Sequence, residues 1–567
     1  MVQLQRTRQA VRLLLELAAV AMLCSLTSCG NNSPEDASSA GGSTTGAGTA
    51  REKAARVENF LINYGPWDAS SIEIAKHYDV VVVHPSQGAT REIVEQIQKG
   101  VDPNDPADDV VVLGYISIGE DLRTSLVTDE QMLQDPRFRG DGSGPRVDPR
   151  GHLPLGGPLD GISVLGAPSP GGTGYASWYL DDNSVDNGGA DGKPDRNVHF
   201  GACFVNAGDP KWFGVVDGMT LDGDDHLAGL REIMTRDTGR GLGCDGVFLD
   251  TFDTCGPNSF TNPFSPNPSE FEWTAPGFSA FMTRLRQAYP DRVLLQNRGL
   301  FFFDSRHPHY KFTTRGNIDL VLFESFRLNS NPSEGINPIF FPDNRYNVAP
   351  KLMAEANRTE GFRVVSLGYA EGPPGRMSSS TLVGTSSLGA DLLLEDIRMA
   401  ERENGFRHYL TNAPVVLVND YVRTHANRSD NEPPTWSSTF NNRGSETPPG
   451  PPDPRVGIQE VVPGSRSLTV RWDVALDLNR VGYALYLQTT PFDFGSDPSL
   501  SGARRIALDP QVGAGYENGP GPTTFPFEAT VTGLTSGQTY YLVIRAFDRS
   551  RAANEEGNRV VLTGTPF

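Results

Sequence analysis

Eight short apolar runs, spaced along the first three quarters of the chain, constrain its fold most. They are Phe60–Tyr64, Asp79–His84, Val110–Ser117, Ala202–Asn206, Gly246–Asp250, Arg292–Asn297, Leu320–Glu324 and Arg363–Tyr369. Runs of β-branched, Leu and Phe residues bounded by polar ones read as strands buried on both faces, which a parallel sheet produces. Stretches with helical spacing or helix-favouring residues, such as 89–99, 226–236, 277–288 and 388–404, fall between them. Alternation of that kind predicts an α/β chain closed into a (β/α)8 TIM barrel. A ninth run, Pro414–Asp420, stays open as an extra strand or as the closing one.

Two of these runs end on an acid: Gly-Val-Phe-Leu-Asp250 and Leu-Val-Leu-Phe-Glu324. The carboxyl ends of barrel strands carry the reactive groups in this fold, so Asp250 and Glu324 are placed to face one pocket. Two carboxyl groups are what glycoside hydrolysis requires. Glu324 lies between Phe323 and Phe326, an apolar setting that would keep it protonated as the acid, leaving Asp250 ionised as nucleophile. Tyr64, Tyr115, Glu120, Asp253, Asn297, Arg298 and Tyr369 end or follow the same runs and are candidate sugar-binding residues. Each has a plainer alternative: the tyrosines as packed rim aromatics, and Glu120 bound to a loop or paired with Arg298 to hold the rim.

Four motifs, Asn63-Tyr64-Gly65, Gly114-Tyr-Ile-Ser-Ile-Gly-Glu120, Asp245-Gly-Val-Phe-Leu-Asp-Thr-Phe-Asp253 and Leu322-Phe-Glu-Ser325, give residues 60–420 a further meaning. This region resembles the family 114 endo-α-1,4-polygalactosaminidases and the related Pel polysaccharide hydrolase domains. The resemblance implies a polysaccharide substrate containing galactosamine or N-acetylgalactosamine, catalytic carboxylates at Asp250 and Glu324, and a retaining mechanism with no required cofactor.

The ends of the chain are of different composition. Arg6, Arg8 and Arg12 precede a mostly apolar stretch, and Leu26-Thr-Ser-Cys29 resembles a bacterial lipobox. Residues 1–28 therefore read as a lipoprotein signal, with Cys29 as the lipidated residue and 29–52 as a tether too poor in large apolar residues to order itself. That places the protein on the bacterial cell envelope, outside the cytoplasm. Three cysteines remain, and a bridge between Cys244 and Cys255 is one of two open readings. A formal charge of −20 argues against nucleic acid and favours cationic partners.

Between residues 125 and 195 lies an insertion rich in Gly, Pro and Asp, in which Asp182, Asp186 and Asp191 form a candidate calcium site or a solvated acidic turn. The barrel is expected over 53–426 and a linker over 427–454. Residues 455–567 carry short alternating strands, and Leu534–Tyr540 followed by Tyr541–Ala546 resembles the fibronectin type III pattern, with Trp472 in its core and Tyr540 at its corner. A competing class remains: a glycan-binding or adhesion lipoprotein in which both acids are rim salt-bridge partners. Oligomeric state is not readable from these features.

Overall fold

The structure, a computed structural model, describes residues 48–151, 158–172, 174–182, 189–257, 271–327, 343–369, 400, 404–412, 414–419, 433–436, 456–477, 481–516, 524–548 and 553–567. The signal, Cys29 and most of the tether lie outside them. Eight parallel strands form one sheet: β1 (Phe60–Asn63), β2 (Val80–Val83), β3 (Val111–Ser117), β4 (Gly246–Asp250), β5 (Val293–Asn297), β6 (Leu320–Glu324), β7 (Arg363–Tyr369) and β8 (Arg407–Thr411), paired in that order. The ends of the sheet meet, since the Phe60 and Tyr409 rings lie 5.7 Å apart and the Tyr64 N–H donates to the Val415 carbonyl at 2.6 Å. This is a nearly closed (β/α)8 barrel. Its strands are buried throughout because both faces are covered, which is why they read as continuous apolar runs.

Two expectations require correction. The run at Ala202–Asn206 is not a barrel strand: only Cys203–Phe204 is extended, and it pairs antiparallel with Glu120–Asp121 at the base of the insertion, in the connection between β3 and β4. The closing strand is instead Arg407–Thr411, whose mixed composition hid it. Its His408 Nδ1 shares a 2.7 Å hydrogen bond with Ser366 Oγ of β7, a polar pairing inside the barrel that interrupts the apolar signal. The run beginning at Pro414 follows β8 as an irregular segment, with Val415 at φ 56°. Asp250 and Glu324 therefore end the fourth and sixth strands.

Cys203, Cys244 and Cys255 are free, buried thiols. Cys244 precedes β4 and Cys255 lies beyond its far end, so about five residues at roughly 3.3 Å each separate them, far outside disulfide reach.

A short helix, α1 (Ala50–Ala54), covers the amino-terminal face, so the expected boundary at residue 52 falls within it. Asp319, 2% exposed, locks that face: it accepts from Arg51 Nε at 2.9 Å, Arg286 Nη2 at 2.6 Å and the Leu294 N–H at 2.9 Å. Asp319→Ala leaves these donors and charges uncompensated. It is expected to cost about 3 kcal/mol in denaturant-induced unfolding.

The tail is a sandwich of two antiparallel sheets. Strands β9 (Ile458–Gly464), β10 (Ser467–Trp472), β11 (Val481–Gln488), β12 (Arg504–Leu508), β13 (Gln511–Val512), β14 (Phe527–Thr532), β15 (Tyr540–Asp548) and β16 (Leu562–Gly564) are ordered β9-β10-β14-β13 and β12-β11-β15-β16. Trp472 is fully buried between the sheets, its ring 5.7 Å from Tyr483 and 5.6 Å from Phe527. Tyr540 Oη accepts from the Thr535 N–H at 3.0 Å. Thr435–Trp436, within the expected linker, pairs with Ala475–Leu476. The sandwich docks on the barrel's amino-terminal face: Asn357 and Arg363 donate to the carbonyls of Ala475 and Asp477 at 3.1 and 2.9 Å, and Thr359 donates to Asp509 at 2.6 Å.

Candidate active site

Parallel strands in a barrel all end at one face, so residues at strand ends converge whatever their separation in sequence. Tyr115 sits on β3, Asp250, Asn297, Glu324 and Tyr369 end β4 to β7, and Tyr64 and His84 directly follow β1 and β2. The chain leaves β4, β5 and β6 by the same device. Thr251, Arg298 and Ser325, each next after one of the candidate residues Asp250, Asn297 and Glu324, have φ of 70°, 54° and 56°. Left-handed backbone at three non-glycine residues is strained, and its recurrence here marks the rim as held in place by its surroundings. Thr251 shows how: its Oγ1 accepts from the Gly119 N–H at 2.7 Å and donates to the Asp250 carbonyl at 2.6 Å. Only glycine fits at 119, where a Cβ would lie 2.2 Å from the Thr251 carbonyl oxygen.

Asn297 joins the two acids. Its Nδ2 donates to Asp250 Oδ1 at 2.8 Å and to Glu324 Oε2 at 2.9 Å. End to end these bonds span no more than about 5.7 Å, and at the roughly 120° fork of an amide nitrogen the two oxygens stand about 5 Å apart. Asp250 also accepts from the Tyr115 hydroxyl at 2.8 Å and from the Thr251 N–H at 2.8 Å, while Glu324 accepts from the Tyr369 hydroxyl at 2.5 Å. Burial, and then the charge of Glu324, raise the Asp250 carboxyl above its ordinary range. Burial first, with the carboxylate charges adding to it, pushes the phenols of Tyr64, Tyr115 and Tyr369 far up, so all three remain hydrogen-bond donors.

The surroundings of Glu324 differ from the sequence expectation. Phe323 and Phe326 pack on each other and on Phe406, with ring centroids 5.1 to 5.9 Å apart, whereas the carboxyl of Glu324 is held by Tyr369 and Asn297. Neighbouring strand residues point to opposite faces, so a flanking Phe need not surround the acid.

Arg298 pairs with Asp253, not Glu120: its Nε lies 2.8 Å from Asp253 Oδ2. Asp253 Oδ1 also accepts from the Gly299 N–H at 3.3 Å, so this pair braces the turn that presents Asn297. Glu120, 6% exposed, accepts instead from Asn197 Nδ2 of the insertion at 2.8 Å. His84 was not singled out from the sequence, although it ends an apolar run just as Asp250 does. Its ring stacks on Tyr115 at 4.7 Å and meets Tyr64 edge-on at 5.5 Å, and burial lowers it to about 4, so it is neutral.

In the candidate calcium loop, Asp182 Oδ2 accepts from the Asp148 N–H at 2.7 Å and from Trp273 Nε1 at 3.0 Å, and Asp191 Oδ1 accepts from the Lys193 N–H at 2.9 Å. Asp186 lies outside the described residues, and among these no three metal-ligating side chains gather. A cleft of about 1050 Å3 lies at the amino-terminal face, where Lys53 pairs with Asp109 and Arg236 with Glu95, far from both acids.

No protein-family model and no curated protein matches the chain. Solved structures similar to it include the glycoside hydrolase domain of PelA from Pseudomonas aeruginosa, at 16% identity and TM-score 0.36 over 64% of this chain and 98% of that one. An endo-β-N-acetylglucosaminidase from Cordyceps militaris is similar at 10% identity and TM-score 0.30 over 67% and 95%. An α-amylase from Geobacillus thermoleovorans follows at 9% identity and TM-score 0.31 over 88% and 100%. Likeness at this level carries no argument by itself; the barrel rests on its strand pairings and the site on its geometry.

Proposed function

We propose that this chain is a retaining glycoside hydrolase that cleaves galactosamine- or N-acetylgalactosamine-containing exopolysaccharide within the polymer. The observation that carries this reading is the single Asn297 amide nitrogen bridging the two carboxyl groups, which keeps the bridged oxygens within about 5.7 Å of each other. Retention uses a separation of roughly 5–5.5 Å, whereas inversion needs about 6.5–9.5 Å to admit a water. In the proposed mechanism Asp250, immobilised by three donors, attacks the anomeric carbon. Glu324 gives its proton to the leaving oxygen, then takes one from the water that hydrolyses the glycosyl ester. The assignment follows from the hydrogen bonds: both acids keep partial exposure at the rim, but Asp250 is held by three donors and Glu324 by two, which leaves Glu324 the freer to exchange its proton. When Glu324 carries the proton its repulsion of Asp250 vanishes, and the three hydrogen bonds then favour the Asp250 anion.

The hydroxyls of Tyr64, Tyr115 and Tyr369 line the mouth and can accept hydrogen bonds from a sugar, those of Tyr115 and Tyr369 while donating to Asp250 and Glu324. The envelope-anchored setting, with Cys29 lipidated, belongs to the same proposal, as does a fibronectin type III-like tail, which the strand order and the Tyr540 corner bond support. The test is reducing-end release from a partially deacetylated α-1,4-galactosaminan by the chain beginning at Gly48. Activity is expected; inactivity of the folded protein on acetylated and deacetylated polymer alike would refute the substrate class.

A further inference from the structure

A third carboxyl group stands behind the pair. Glu120 opens the two-residue strand Glu120–Asp121, directly after β3, and is almost wholly buried. Among the described residues no cation pairs with it, in contrast to its neighbour Asp121, which takes Arg123 at 2.8 Å. Its one side-chain partner is the Asn197 amide on Oε1, and that amide's orientation is set by the His199 N–H, which donates to Asn197 Oδ1 at 2.9 Å. With Oε1 so occupied, Oε2 is the oxygen available to carry a proton. Glu120 lines a narrow cavity, about 30 Å3, with His84, Ser117 and Tyr115. Tyr115 forms the common wall, since its hydroxyl holds Asp250.

The charged and titratable groups facing Glu120 are thus Asp250 on β4, Tyr115 on β3, His84 after β2 and its own neighbour Asp121. Asp121 lines the same cavity but is paired with Arg123 at 2.8 Å; with His84 neutral and Tyr115 protonated, the one unpaired charge set against Glu120 among the described residues is the negative one of Asp250. A carboxylate buried beside another carboxylate with no cation is strongly disfavoured.

We propose that Glu120 is a positioning residue that serves the catalytic pair as a neutral acid, and that its ionisation would oppose the ionisation of Asp250 by setting a third negative charge behind it. The inference rests on the glycosidase reading only for its effect on rate. Burial, and then Asp250, raise the Glu120 carboxyl to about 7. The folded protein therefore binds this proton more tightly than the unfolded chain does. Stability is lost as pH rises from the ordinary glutamate value to about 7, and is level beyond.

Glu120→Gln copies the protonated form, with Oε1 still accepting from Asn197. The difference in Tm between E120Q and the parent is expected to grow in favour of E120Q through pH 7 and then to plateau. Asn197→Ala removes the bond that favours the anion, so it should move the parent's transition to higher pH, and this arm stands even if E120Q fails to fold. On the galactosaminan, the ratio of kcat/KM at about pH 8 to that at about pH 6 should rise about threefold or more in E120Q. A Tm difference independent of pH in both variants would overturn the proposal. A large KM change for E120Q at about pH 6 with an unaltered pH profile would likewise overturn it, showing direct sugar contact. Absence of all hydrolysis beside the expected Tm behaviour would instead refute the glycosidase reading alone.

Discussion

Asp250→Asn is expected to abolish hydrolysis, lowering kcat by roughly four orders of magnitude, while making the protein more stable at neutral pH. Both effects have one origin. Asp250 is partly buried, and desolvation together with the charge of Glu324 raises the cost of ionising it. Its carboxyl is therefore raised above the unfolded value, so the stability it contributes is present at low pH and is lost as pH climbs through the folded value. An amide in its place cannot ionise, and its oxygen can still accept from Asn297 and the Thr251 N–H. The gain in Tm should thus be absent near pH 3, grow with pH, and reach a few degrees at pH 7. Residual turnover near the parent level, or a loss of stability at pH 7 with the fold intact, would show that Asp250 is a structural rim carboxylate and not a reacting group.

The second large effect concerns the division of labour. Glu324→Ala removes the proton donor, and hydrolysis of the polymer should fall by roughly 10²–10⁴-fold. With an activated aryl glycoside the leaving group needs no proton, so the glycosyl ester at Asp250 still forms. Azide, which needs no general base, should then restore turnover and give a glycosyl azide of the substrate's anomeric configuration. Asp250→Gly leaves room for azide on the opposite face and should give the opposite configuration. An exchange of the two outcomes between the variants would make Glu324 the nucleophile and Asp250 the acid, leaving the pair itself intact.

Much of this arrangement was legible in the sequence because a buried parallel strand writes itself as an apolar run and the next polar residue marks the rim. Asp250, Asn297, Glu324 and Tyr369 were found that way, and His84 obeys the same rule. The rule fails where burial does not demand apolar side chains. In β8, His408 is satisfied by Ser366 within the barrel, so the strand looks polar. Conversely, Cys203–Phe204 is apolar because it is buried in the connection between β3 and β4, not because it belongs to the sheet. Pairing among rim charges was less legible. Glu120 and Arg298 lie at the same face, but the left-handed turn after Asn297 brings Arg298 to Asp253, and Asn197, far along the insertion, claims Glu120. The setting of Glu324 differs for a similar reason: Phe323 occupies the opposite face of the strand, and the left-handed turn at Ser325 leaves Phe326 packed on Phe323.

The central claim, two carboxyl groups spaced for a covalent glycosyl intermediate, is tested most directly by following the anomeric proton signals of the polymer's first-formed ends by NMR during cleavage. The geometry predicts that α-linked galactosaminan yields α-configured ends first, with the β anomer appearing only as mutarotation proceeds. Ends that appear first as the β anomer would mean inversion, and would contradict Asp250 as nucleophile, Glu324 as acid and base, and Asn297 as the bridge that spaces them.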